Sequence, residues 1–107
     1  MINSPRELLE ALTGIFPKYA FNPDEASSPT YHGLMIDFAC YYGSVSCTDR
    51  QLKDFAALIN AAVDAGGDLE NAFSTCLLEH LGNRKWTPAR KPLMPFLSKA
   101  VKERLHA

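Results

Sequence analysis

The sequence predicts an all-α protein, a compact bundle of four to five short helices forming a single domain over residues 1–107. Three observations carry that prediction. Apolar residues recur at i, i+3 and i+4 in several separate stretches. Helix start signals stand directly in front of those stretches. No segment shows the apolar/polar alternation between hairpin turns that a half-buried strand requires. With 107 residues, 47% apolar and 21% charged, the chain has the size and composition of one globular domain with one continuous core.

The first helix starts in "SPRELLEALTGIF". Ser4 is followed by Pro5 at the first helical position and by Glu7 three residues on, which is the pattern of a capping box. Leu8, Leu12 and Ile15 share a face, Leu9 and Phe16 lie at its edge, and Pro17 ends the run. A polar stretch with two prolines, "NPDEASSP", then reads as a loop. In "TYHGLMIDFACYYG", Thr30 is the expected N-cap and Gly43 the stop. Tyr31, Leu34, Met35, Phe38 and Tyr42 form the stripe between them.

Thr48 and Gln51 form a second capping box ahead of the third helix, whose buried face is Leu52, Phe55, Ala56, Ile59 and Val63. Gly66-Gly67 ends it, and Asp68 is expected to cap the fourth helix at once. At 100° per residue, Leu69, Phe73, Cys76, Leu77 and His80 would share one face, with His80 near its middle. "NRKWTPARKP" reads as a second loop. A short turn near Leu93–Phe96 and a helix capped by Ser98 finish the chain.

No apolar run approaches the roughly 20 residues needed to span a bilayer. The N-terminus lacks the basic-then-apolar pattern of a secretory signal. Three cysteines, Cys40, Cys47 and Cys76, are too few and of the wrong parity for a disulfide framework. A reduced, cytoplasmic protein is the expectation. Net charge is −1, unevenly placed. Residues 1–83 carry four Lys/Arg against eleven Asp/Glu, whereas residues 84–107 carry seven Lys/Arg against Glu103 alone. Either the two parts neutralise one another on folding, or the asymmetry addresses a charged partner.

Two clusters invite chemistry. Cys76 and His80, at i and i+4 with Glu79 beside them, have the spacing of an activated thiol or of two metal ligands. A structural zinc site needs four ligands, and His32, Cys40, Cys47 and His106 form no second close pair. No phosphate loop or paired acidic motif accompanies the cysteine. The expectation is therefore no metal, no cofactor and no catalysis, with Cys76 as a small buried apolar side chain. An enzyme or metal protein built on Cys76, Glu79, His80 and His32 is the alternative.

The second cluster is Trp86 among Arg84, Lys85, Arg90 and Lys91, where cations could grip phosphate and the indole stack on a base. A lone aromatic is few for that role. Nucleic-acid binding through residues 84–104 is a second alternative, and a tryptophan folded back on the bundle the simpler reading. In the second helix, Tyr31 and Tyr41 are either core or an exposed protein anchor.

"DLENAFSTCLLEHL", preceded by "TYHGLMIDFACYYG" and "QLKDFAALINAAVDAGG", resembles a family of small helical bacterial domains of unknown function. The shared pattern is an aromatic-rich helix, a helix ending before Gly or Asp, and an Asn-containing helix closing on Leu-Glu-x-Leu. Here those features are Asn71, Leu78, Glu79 and Leu81, and the resemblance runs over about residues 29–83. It implies a helical bundle and no assigned activity. Some members are similar to immunity partners of bacterial toxins. An immunity-type inhibitor is thus the expected function, its acidic body meeting a basic cognate toxin such as a nuclease. The expected contact residues are Asp24, Glu25, Asp49, Asp68 and Glu70, carried on loops and caps, together with Trp86.

Overall fold

In the computed structural model, which describes residues 2–21 and 30–105, the chain is all-α. The elements are α1 (Pro5–Ile15), α2 (Tyr31–Gly43), α3 (Asp49–Ala65), α4 (Gly67–Phe73), a π turn (Ser74–Leu78), α5 (Glu79–Leu81), α6 (Thr87–Arg90) and α7 (Lys99–Leu105). Short 3₁₀ turns at Arg84–Trp86 and Met94–Phe96 link the last three. The segment α4–π turn–α5 is one continuous rod. Among the described residues there is no strand, and no helix is long and apolar enough to cross a membrane.

Four start signals, Ser4, Thr30, Thr48 and Ser98, act as the sequence predicts, the first with a variation. Ser4 Oγ accepts from Glu7 N at 3.2 Å, but the Glu7 carboxylate reaches past the cap to Asn3 N at 2.7 Å. Thr30 Oγ1 accepts from Gly33 N at 2.9 Å. At α3 both arms of the box close, Thr48 Oγ1 to Gln51 N and Gln51 Oε1 to Thr48 N. The same Gln51 amide donates to Ile15 O at 3.1 Å, so one side chain starts α3 and caps a carbonyl at the end of α1. Ser98 Oγ caps α7 through Val101 N.

Two expectations at chain turns need correction. Asp68 does not cap the fourth helix. Gly66 takes that place, with φ of +72° followed by +67° at Gly67, and Asp68 sits in the first turn with no side-chain cap bond. Two successive left-handed residues make a corner that only glycine adopts cheaply. "NRKWTPARKP" is likewise no irregular loop, because it winds into a 3₁₀ turn and α6.

The core is built from Leu8 and Leu12 of α1, Leu34, Met35 and Phe38 of α2, Phe55, Ala56 and Ile59 of α3, and Phe73, Leu77 and Leu81 of the rod, closed by Val101 of α7. The rod packs on α2 and α3, with α7 laid across α3 and the π turn. Phe16, Tyr19, Phe38, Tyr42 and Phe55 meet as an aromatic cluster, with Phe38 centroids 5.3 Å from Phe16, 4.9 Å from Tyr19 and 5.3 Å from Phe55. Edge and tilted contacts of that kind add to simple area burial. Asn60, mid-way along α3, holds the entry to α7 from both sides: Nδ2 donates to Phe96 O at 3.2 Å and Oδ1 accepts from Ser98 N at 2.9 Å.

Candidate functional site

The rod carries the largest departure from helical expectation. Across Ser74–Leu78 the backbone widens to i→i+5 bonding, and Glu79 N donates to Ser74 O. The widened turn holds one extra residue, so everything after it is set back by about one 100° step. Leu81 takes the central place in the apolar stripe that His80 would hold in a regular helix. Leu81 is fully buried and His80 is exposed. The expectation that His80 lines the core is wrong for that reason. Cys76, by contrast, is buried as expected, with Thr75 Oγ1 at 3.6 Å as its polar neighbour.

The displaced His80 ring stacks on Trp86, with centroids 5.5 Å apart and planes 28° from parallel. Trp86 is half-buried, its indole edge in a notch left by Gly43 at the end of α2. A Cβ at Gly43 would sit 2.9 Å from two indole carbons. Two further bonds pin the segment that follows. Tyr42 OH donates to Ala89 O at 2.9 Å, and Arg90 Nη1 donates to Leu81 O at 3.2 Å. Trp86 is thus folded back on the bundle, while Arg84, Lys85 and Lys91 stay exposed around it.

The expected acidic contact residues do not share one face. Asp24 and Glu25, like His106, lie outside the described residues. Asp49 opens α3, a 17-residue helix about 25 Å long, and Asp68 lies beyond its other end in the first turn of α4, both exposed. Glu70 is ion-paired with Arg104 at 3.0 Å, and Arg104 also reaches Ser74 Oγ at 3.3 Å. Asp64, at the end of α3, and Asp68, in the first turn of α4, are both exposed on either side of the Gly66–Gly67 corner; Asp64 is not among the expected contact residues because it lies within α3.

Neutralisation of body by tail is sparse. Of the seven basic residues from Arg84 to Arg104, only Arg104 pairs with a carboxylate of another described residue. Asp54, with Arg50, and Glu70 are the ion-paired acids among the described residues.

The remaining candidates are dispersed. His32 Nε2 lies 3.3 Å from the Asn71 amide. Cys40 is exposed. Cys47, half-buried, lines a cleft of about 310 Å³ with Tyr42, Leu52, Pro88 and Pro92, and burial pushes its thiol pKa up, away from thiolate chemistry. Among the described residues no three His, Cys, Asp or Glu side chains converge in a way that could hold a metal ion. Tyr31 and Tyr41 are half-buried against the core, and Asp37 accepts a 2.6 Å bond from Tyr19 OH. Compared with models of known protein families, with curated proteins and with solved structures, the chain matches none of them.

Proposed function

We propose that the protein is a small cytoplasmic protein-binding module of the immunity type, which neutralises a cognate basic toxin by covering or locking its active site. The observation that supports this most is the un-neutralised acidic surface. Apart from Asp54 and Glu70, the described carboxylates make no ion pair with a described cation, which leaves them available to a basic partner. Exposed, unpaired carboxylates cost the fold little. They raise the encounter rate with a basic partner at low ionic strength. Asp64 and Asp68 are two such groups, exposed on either side of the Gly66–Gly67 corner between the packed helices α3 and α4.

The test is co-expression with the product of each flanking gene. Protection from a toxic neighbour and a purified complex are the expected results. In that complex Asp64→Asn with Asp68→Asn slows association about three- to tenfold at low salt and leaves dissociation nearly unchanged. Absence of both protection and binding for every neighbour removes the proposal.

A further inference from the structure

In the sequence, Trp86 is a lone aromatic among cations, too few rings for a base-stacking site. The structure supplies a second ring. The π turn moves His80 out of the core and onto Trp86, which Gly43 holds in place from behind. One face of the imidazole is covered by indole and the residue is otherwise exposed, so the ring offers an open aromatic surface on a fixed support.

Arg84 and Lys85 immediately precede Trp86 in the same 3₁₀ turn. Both are exposed, and neither pairs with a described carboxylate. No acidic residue occurs between Glu79 and Glu103. A stacking ring at His80 and exposed cations at Arg84 and Lys85, within six residues of chain, are the two ingredients of single-strand recognition: base faces stack on aromatic or histidine rings while phosphates meet Lys and Arg.

We infer that the His80–Trp86 stack with Arg84 and Lys85 is a binding site for single-stranded nucleic acid, one base lying on His80 and the adjacent phosphates on the two cations. The patch is small, so affinity is modest and strongly salt-dependent. Glu79, exposed beside His80, is the carboxylate nearest the ring in sequence and opposes phosphate there.

Trp86 is the sole tryptophan and therefore the optical reporter. The experiment titrates the full chain with dT12 and with rU12 oligonucleotides at low salt, following indole fluorescence and gel retardation. Expected are a saturable fluorescence change, weakening as salt rises, and a preference between the two strands that tells DNA from RNA. His80→Ala, at an exposed position, weakens binding on the order of tenfold. Arg84→Glu with Lys85→Glu abolishes it, and Glu79→Gln strengthens it several-fold. The inference is overturned if neither oligonucleotide binds. It is equally overturned if His80→Ala binds like wild type, or if polyglutamate binds as tightly as the oligonucleotides, which would mark the patch as a docking site for acidic protein.

Discussion

Gly43 and Trp86 stand so close that each limits the other. Replacing Gly43 by Ala removes a poor helix former from the end of α2, a gain of at most about 1 kcal/mol. The added methyl meets aromatic carbons at 2.9 Å, and overpacking of that kind costs about 1–3 kcal/mol. The clash outweighs the propensity. Gly43→Ala is expected to lower the melting temperature and to shift Trp86 emission toward that of exposed indole. An unchanged spectrum with raised stability would show that the indole can move aside freely.

Tyr19 and Tyr42 carry a pH dependence of definite sign. Burial, foremost, pushes both phenol pKa values above the ordinary tyrosine value, and the bond to Asp37 pushes Tyr19 further. The folded chain then keeps protons that the unfolded chain releases above about pH 10, so stability is full below that point and falls as pH rises beyond it. Denaturant titrations at about pH 8 and pH 11 should show this loss, reduced in a Tyr19→Phe/Tyr42→Phe variant. An identical loss in both proteins would assign the alkaline instability to other groups.

For the helices, the capping boxes and the π turn make separable predictions. Thr48→Ala removes an N-cap with both arms formed and is expected to cost about 1 kcal/mol. Gln51→Ala costs more, since the side chain also serves Ile15 O. The π turn allows a deletion that an ordinary helix would not. Thr75 is exposed, and removing it takes out the extra residue, returning the rod to regular spacing with Leu77, Leu78 and Leu81 still inward. Deleting Thr75 is therefore expected to leave the protein folded, at a cost of about 1–2 kcal/mol. Deleting the equally exposed Ala57 rotates Ile59 and Val63 out of the core and should unfold it. Circular dichroism and urea midpoints of the two deletions decide the matter. Equal damage from both would deny the π turn its role as a register insertion.

At the scale of the molecule, charge is segregated along the chain and, among the described residues, mostly left unpaired. The Glu70–Arg104 bridge ties the tail helix to the rod, but both side chains are partly exposed, 28% and 40%, so a double-mutant cycle should return no more than about 1 kcal/mol. The tail is held by apolar burial of Leu93, Leu97, Val101 and Leu105 and by the Asn60 clamp, and that anchorage is insensitive to salt. Added salt should accordingly weaken any partner complex far more than it changes the melting temperature of the free protein. A melting temperature that moves in step with complex affinity would show that the charges hold the fold itself.

The all-α class, most capped starts and nearly all of the buried stripes of α1, α2 and α3 were legible in the sequence, whereas α6 was hidden in a segment that reads as a loop. Those features depend on residues within one or two turns of each other, and local geometry obeys a fixed period. Cys76 was legible as a buried thiol for the same reason. The period failed at His80, where the rod, packed against α2, α3 and α7, takes an extra residue in one turn and leaves the histidine outside the core. Nothing local announces that choice. Tyr19 in the aromatic cluster, Asn60 as a clamp, Gly43 as a seat for Trp86 and the joint exposure of Asp64 and Asp68 likewise join groups distant in the chain or across a corner. The sequence by itself determined an all-α chain with acidic body and basic tail, because periodicity and charge count are one-dimensional properties. Only the tertiary structure decided which side chains face outward together, because that depends on how packed helices share one core.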